Sequence, residues 1–300
     1  MKYSFIAQHK KAWPIDLMCR VLGVKRNGFY SYQKRQVSKS VDPLYEAKLA
    51  CVKEADVASD STYGERRIKE ALITAGYPVT RGEAKRLMKA AQVKVRHRKK
   101  YKVTTDSDHQ QPVFDNVLDR GFKVDEADRA YVSDITYIWT QEGWLYLAVV
   151  IDLFSRKVVG WSMGTRMKAH LVCDALEMAI WQRRPRAGLI VHSDRGSQYA
   201  SKIYRRLLKK HGFIGSMSRR GNCWDNAVAE SFFGSLKQER VQWRHYQTRL
   251  AAQQDVLNYI AMFYNSKRLH SHLGYKSPAQ YEREMSALKK NCLTGLSQFT

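Results

Sequence analysis

The stretch LIVHSDRGSQY (residues 189–199), followed by GSMSRRGNCWDNAVAESFFGSLKQE (residues 215–239), decides the fold of this 300-residue chain. Leu189 to His192 reads as a buried strand that delivers Asp194 at its exit, before Gly196 turns the chain. The second part opens a helix near Asp225 and Asn226 and carries Glu230. Thirty-five residues separate Asp194 from Glu230, room for a helix, a strand and a loop. A third acid, Asp134, falls in the middle of a strand expected from Ala130 to Trp139.

Working outward, YVSDITYIW alternates, with Ser133, Ile135 and Tyr137 on one face and Val132, Asp134 and Thr136 on the other. Thr140 to Gly143 makes a hairpin turn, WLYLAVVIDL returns as an almost wholly apolar strand, and Lys157 to Met163 supplies a third. A helix is expected from Ala169 to Arg183, then the Asp194 strand, a helix from about Ser201 to His211 and a last strand from Phe213 to Met217. Five strands, three in a meander and two reached by helical crossovers, make a mixed sheet covered by helices: an α/β fold.

Strand-centre Asp, strand-end Asp and helical Glu suggest a carboxylate cluster. Phosphodiester chemistry must activate an oxygen nucleophile, stabilise a pentacovalent phosphate and neutralise a leaving oxygen. Two divalent ions roughly 3.5–4 Å apart can do all three, and hard Mg²⁺ demands oxygen ligands. Taken singly, Asp194 reads equally as a turn residue and Glu230 as a solvated helical acid. Asp134 is the most informative, because an isolated carboxylate in a half-buried strand is costly. On the Glu230 helix, Val228, Phe232 and Leu236 form an apolar stripe, while Asn226, Glu230, Gly234 and Lys237 share another side. Gly234 would let a phosphate backbone approach, and Lys237 could hold it.

The N-terminal part is helical. Ile15, Met18, Cys19 and Leu22 repeat at helical spacing, Gly23 breaks the chain, and a basic-aromatic helix starts at Lys25 and Arg26. This resembles a helix-turn-helix, although an αα-hairpin that touches nothing fits the same pattern. A helix from Leu44 to Ala58, with Leu49, Val52 and Val57 apolar, precedes a stronger second unit. There Ile68 and Leu72 face inward, Gly76 ends a helix, and Thr80 with Glu83 makes a capping box for the next. Its Ala84, Leu87, Met88 and Ala91 point inward, and Arg81, Lys85, Arg86 and Lys89 line the outside as candidate DNA contacts. The run from Lys94 to Lys102, with Arg96, Arg98, Lys99 and Lys100, is too charged to fold alone and could track phosphates without reading sequence. The expected divisions are a helix-turn-helix-like segment over 1–40, a helical DNA-binding domain with basic linker over 41–112, the catalytic core over 113–285 and a tail over 286–300.

Composition narrows the partners. Fifty-two basic against 28 acidic residues give a net charge of +24, which favours a polyanion. The five cysteines, Cys19, Cys51, Cys173, Cys223 and Cys292, are scattered without a C-x-x-C pair, arguing against a disulfide framework or zinc site. Met1 to Pro14 lacks the apolar core of a signal peptide, and the longest apolar run, Trp144 to Ile151, is too short to span a bilayer. A soluble, cytosolic protein is the expectation.

HSDRGSQY (192–199), SMSRRGNCWDNAVAESFFGSLKQE (216–239), SDITYIWTQEGWLYLAVVIDLFSR (133–156) and YNSKRLHSHLGYKSPAQYE (264–282) closely resemble the insertion-sequence-three family of bacterial transposases. The resemblance covers nearly the whole chain and points to the family's second-reading-frame, catalytic product. It implies a ribonuclease-H-like integrase core with Asp134, Asp194 and Glu230 as metal ligands for Mg²⁺ or Mn²⁺, two ions per active site. Asp134 would bridge both ions, with Asp194 and Glu230 each completing one site. It also implies a DNA-contacting Lys237, element-end and target duplex DNA as substrates, a homo-oligomer on that DNA, and a partner protein from the upstream reading frame. The chain departs from the family at Ala127 to Tyr131, where a Pro-Asn-x-x-Trp-like stretch is usual. The rival readings are a DNA-binding regulator without enzymatic activity and a nuclease that cuts without joining. A regulator has no use for three carboxylates facing a polyanion.

Overall fold

The computed structural model describes residues 1–37, 42–96, 113–119, 121–122, 124–219 and 226–296. The chain forms two compact units, Met1–Ala55 with Ile68–Val93, and Asp56–Arg67 with Lys94–Thr300. The junctions expected at 40/41 and 112/113 both fall inside a unit rather than between units.

The first unit is helical: α1 (Lys2–His9), α2 (Ile15–Val21), α3 (Arg26–Val37), α4 (Pro43–Ala58), α5 (Glu65–Thr74) and α6 (Arg81–Ala90), with α4 and α5 each crossing the division. Ile6, Met18, Cys19 and Phe29 form a small core that joins α1, α2 and α3. Helix α1 has no counterpart among the expected elements, because a single fully buried position, Ile6, cannot show a period. Gly23 takes φ +61° at the α2–α3 turn. Phe29 is fully buried, so it anchors α3 to the core. In the second pair Ile68, Leu72, Ala84, Leu87 and Met88 are buried, and Gly76 takes φ +89° after α5. Thr80 Oγ1 accepts the Glu83 N–H at 3.2 Å, while the Glu83 carboxylate is taken by Lys48 Nζ at 2.8 Å. On α4, Val52 is buried, Leu49 is half-buried and Val57 is 79% exposed.

In the second unit β1 (Ala130–Thr140), β2 (Gly143–Asp152) and β3 (Val158–Gly164) form the meander, followed by α7 (Ala169–Arg183) and β4 (Ile190–Ser193). Then come α8 (Ser197–Ala200), α9 (Lys202–Lys210), β5 (Ile214–Met217), α10 (Ala227–Glu239), α11 (Arg249–Asn258) and α12 (Pro278–Leu296). The sheet order is β3-β2-β1-β4-β5. β1 pairs antiparallel with β2 and parallel with β4, and β4 pairs parallel with β5. Strand alternation sorts the core. Val132 and Ile138 pack with Phe232, Phe233 and Leu236 of α10 and Val256 of α11 on one face. Tyr131, Ala148 and Val150 pack with Leu176 of α7 and Leu208 of α9 on the other. Helix α12 runs to Leu296, through residues expected to be a tail.

At Ala127 to Tyr131, Asp128 receives the Tyr131 hydroxyl and Arg183 Nε at 2.8 Å. Its own N–H donates to Asp152 at 3.0 Å. A polar set of bonds thus ties the start of β1 to α7 and β2.

Gly160 lets α7 lie close to β3. A Cβ there would stand 2.2 Å from the Ala175 carbonyl oxygen and 2.9 Å from the Ala179 nitrogen, both backbone atoms that cannot swing aside. Gly160→Ala is expected to destabilise the protein by about 1–3 kcal/mol. Gly164→Ala, whose Cβ would meet only Leu171 Cδ1 at 3.4 Å and the Arg166 carbonyl at 3.7 Å, should stay within about 0.5 kcal/mol, and urea unfolding of both variants checks the contrast.

The end of α10 is held by a buried ion pair. Arg268 Nη2 and Nε lie 2.7 and 2.8 Å from the two Glu239 carboxylate oxygens, and the Tyr259 hydroxyl donates to Glu239 at 2.7 Å. Arg67 adds a contact at 3.4 Å, and Arg268 also donates to Ser235 Oγ at 2.9 Å. Burial pushes the Glu239 carboxyl up, but Arg268 and Arg67 outweigh it and hold the group below the ordinary range. A carboxyl depressed on folding stabilises above its unfolded pKa, near ~4.3, and that stability is lost as pH falls through the folded value. Arg268→Ala should therefore cost about 3–5 kcal/mol at pH 7, since it strands a buried carboxylate. Glu239→Gln should remove the corresponding share of the loss seen below the unfolded pKa. Urea unfolding across pH measures both, and equal acid sensitivity in Glu239→Gln and the parent would contradict the assignment.

Candidate active site

The parallel ladder between β1 and β4 ends at the pair Ser133–Ser193. The next residue on each strand is an aspartate, so Asp134 and Asp194 emerge side by side where the ladder stops. Backbone donors orient both: Ile135 N–H to Asp134 Oδ1 at 2.7 Å, and Gly196 N–H to Asp194 Oδ1 at 2.9 Å. Glycine suits position 196, because a Cβ would sit 3.0 Å from that same Asp194 oxygen.

Glu230 stands in the first turn of α10, on its exposed side. Helix α10 buries Ala229, Phe232, Phe233 and Leu236, with Val228 only partly covered, so its apolar stripe is broader than spacing alone suggested. Asn226, at its N-cap, reaches the Ser133 carbonyl with its side-chain amide at 3.5 Å, which ties the helix start to the residue before Asp134. Lys237 Nζ lies 5.0 Å from the centroid of the Tyr137 ring.

Electrostatics connect these groups. Burial pushes the Asp134 carboxyl well above the usual range, and Asp194 and Glu230 push it further, against the Ile135 N–H and Lys237. Glu230 is raised by burial. Lys237 is lowered to about 8, by burial first and with Asp134 offsetting part of it. Among the described residues no three His, Cys, Asp or Glu side chains stand close enough to hold a metal ion. The fold therefore sets Asp134 and Asp194 on neighbouring strands and Glu230 within electrostatic reach, without closing the three into a ligand set. All three offer hard oxygen donors, and repulsion among them is what a divalent cation would relieve.

Tyr199 is a neighbour to which the sequence pattern assigned no task. Its buried hydroxyl is 3.0 Å from Ser133 Oγ, which donates to the Val149 carbonyl at 2.9 Å. Burial, then Asp134 and Asp194, keep that phenol protonated and so able to donate. His192 lies between Ser216 Oγ at 2.9 Å and Ser218 Oγ at 3.2 Å and pins β4 to β5. Nothing but their place inside quoted motifs could have pointed to these residues, since hydroxyl partners more than 20 residues away leave no period.

The candidate DNA contacts divide. Arg81, Lys85, Arg86 and Lys89 are exposed along α6. Lys25 and Arg26 are exposed at the start of α3, with Arg26 3.6 Å from Asp16 and 5.7 Å from the Tyr30 ring centroid. Arg96 is engaged within the second unit: its two terminal nitrogens face Asp60 at 2.9 and 3.0 Å, and its guanidinium lies 5.6 Å from the Trp243 ring centroid. A fork already filled by a carboxylate has little left for a phosphate. Arg98, Lys99 and Lys100 lie outside the described residues.

No helix among the described residues is long and apolar enough to cross a membrane. The integrase core domain family matches residues 125–223, and a second integrase core domain family matches residues 230–286. The chain is 41% identical over 285 residues to the transposase InsF for insertion sequence IS3A of Escherichia coli K12, spanning 95% of this chain and 99% of that one. It is 40% identical over 267 residues to an uncharacterized 31 kDa protein of insertion element IS600 from Shigella sonnei, spanning 89% and 98%. Among solved structures, the HTLV-2 integrase catalytic core domain in complex with magnesium overlays with a TM-score of 0.41 at 16% identity, covering 52% of this chain and 96% of that one. By its integrase core and its near full-length identity to InsF, the chain belongs to the IS3 family and is a DNA transposase.

Proposed function

We propose that Asp134, Asp194 and Glu230 are the metal ligands of this transposase, and that they serve both cleavage at the element ends and joining of the freed 3′-hydroxyl to a target strand. The observation that carries this is the pair of aspartates at the end of the β1–β4 ladder, with Asp134 raised by both other acids. Two divalent ions, Mg²⁺ or Mn²⁺, would supply Lewis-acid activation of the attacking oxygen and charge neutralisation of the leaving one. Asp134, Asp194 and Glu230 would be the residues that hold them. The chain's own contribution is placement. Ile135 and Gly196 N–H groups orient the two aspartates, Asn226 ties α10 to β1, and Lys237 holds a phosphate beside Glu230. The exposed basic face of α6 supports recognition of the element end, with Lys25 and Arg26 as a second contact. The same reading includes a homo-oligomer on DNA, a partner from the upstream frame and a place at the nucleoid, supported by the sequence resemblance and the net charge of +24.

Asp134→Asn, Asp194→Asn and Glu230→Gln should each lower cleavage and strand transfer by several orders of magnitude while leaving end-DNA affinity within a few-fold. Product mapping with Mg²⁺ and the flanking element ends checks this. Near-normal strand transfer by any one variant removes that residue from the set, and cleavage without joining by the parent supports the nuclease reading instead.

Neutralising Arg81, Lys85, Arg86 and Lys89 together should abolish the preference for element ends over unrelated duplex. Neutralising Arg98, Lys99 and Lys100 should weaken both equally and flatten the dependence on salt, by roughly one unit of slope for each phosphate that is no longer neutralised. Binding isotherms from 50 to 200 mM salt, about the range over which such slopes are resolved, separate the two effects.

A further inference from the structure

Beyond Ser133 the strand β1 continues to Thr140, but β4 stops at Ser193, so the β1–β2 hairpin extends past the end of the parallel ladder. Its far end is aromatic. Trp139 and Trp144 stand directly opposite each other in register, with ring centroids 4.8 Å apart at 72°. Tyr137 meets Trp144 edge to face at 5.0 Å and 82°. Trp139 is 59% exposed and Trp144 43% exposed. A cross-strand aromatic pair accounts for hairpin stability, yet it does not require two indoles with half their surface in water.

What surrounds the rings indicates what they face. Lys237 brings its ammonium to the Tyr137 ring, and Arg249 donates to the Trp144 and Glu142 carbonyls at the hairpin turn. Alternation puts Tyr137 and Trp139 on the opposite face of β1 from Asp134, and Lys237 reaches Tyr137 from the helix that carries Glu230. At about 3.3 Å per residue the rings lie roughly 10–17 Å along the strand from Asp134. That is about three to five base steps at 3.4 Å each. A duplex held where Asp134 and Asp194 emerge, at the end of the ladder, keeps its bases stacked between its own strands and cannot also offer them to exposed rings. A strand separated from its complement can, by running past the end of β4 along the stretch of β1 before the Thr140–Tyr246 bridge.

We propose that Trp139 and Trp144, with Tyr137 beside them, form a stacking platform for unpaired nucleobases of the DNA strand held at the active site. This rests on the carboxylate reading above for the position of the DNA, but not for the stacking itself. Base-on-indole stacking is tolerant of sequence, and the neighbouring cation would pair with the phosphate that follows the stacked base. The platform would favour ends whose terminal pairs have opened.

The test uses the full chain and two single-stranded probes of equal length and charge, a dT12 oligonucleotide and a 12-residue abasic backbone. The parent should bind dT12 roughly tenfold or more tightly than the abasic strand, the scale expected of a base stacked on an aromatic ring. Trp139→Ala and Trp144→Ala should collapse that ratio while leaving abasic affinity unchanged, and Trp139→Phe should retain most of it. Thermal unfolding of each variant establishes that it is folded. An unchanged ratio in folded alanine variants, or a parent that does not discriminate the probes, overturns the proposal. So does a shift in oligomeric state on sedimentation without a change in ratio, which would make the rings a contact between copies. Asp134→Asn should keep the parent's ratio. A platform that fails while the parent still cuts and joins leaves the carboxylate assignment standing. A ratio that holds while carboxylate variants stay active refutes that assignment alone.

Discussion

Like-charge repulsion at the end of one short ladder is the constraint around which the second unit is built. Asp134 and Asp194 each follow the last paired residue, Ser133 and Ser193, of two neighbouring parallel strands, and Asp134 is pushed up by burial, by Asp194 and by Glu230. Left to itself, such a pair would splay or neutralise. The fold prevents splaying by rigidity. β1 is clamped between β2 and β4, Ser133 is held by Tyr199 and Val149, and each aspartate accepts a backbone N–H. Hydrogen bonds of this kind hold the two carboxylates in place against their mutual repulsion.

Rigidity at the third acid is supplied from a distance. Glu230 lies on α10, and the far end of α10 is fastened by Glu239 to Arg268, Arg67 and Tyr259. Those partners come from segments before and after α10 in sequence. Residues 56–67 belong to the second unit partly because Arg67 meets Glu239, Asp60 meets Arg96 and Arg240, and the Tyr63 hydroxyl reaches the Lys267 carbonyl. A helix so anchored carries Glu230 and Lys237 as one rigid face. Buried ion pairs are weak evidence for net stability, but removing one partner strands a charge, so the pair is costly to break once formed.

Much of this was legible in the chain itself. Periodicity of two and of 3.6 located all five strands and the main helices of the second unit, because both faces of the sheet must be apolar where helices cover them. The acids were legible for the opposite reason: Asp134 interrupts an apolar strand, and Asp194 and Glu230 sit where a strand ends and a helix begins. The basic face of α6 followed from the inward positions Ala84, Leu87 and Met88. Helix α1 leaves no pattern because it has one fully buried residue, and Ser286 to Lys289 of α12 are all exposed, so no apolar period marks that part of the helix.

The amino-acid sequence by itself determined the α/β class, the strands, the three acids and the cationic character, since each depends on local pattern or on composition. Only the tertiary structure decided which hydroxyl holds Ser133, which cation completes Glu239, that Arg96 serves Asp60, and that two indoles project beyond β4. These are contacts between residues tens to hundreds of positions apart. Their partners are selected by sheet order and by where one short strand stops, and neither is written in any periodicity along the chain.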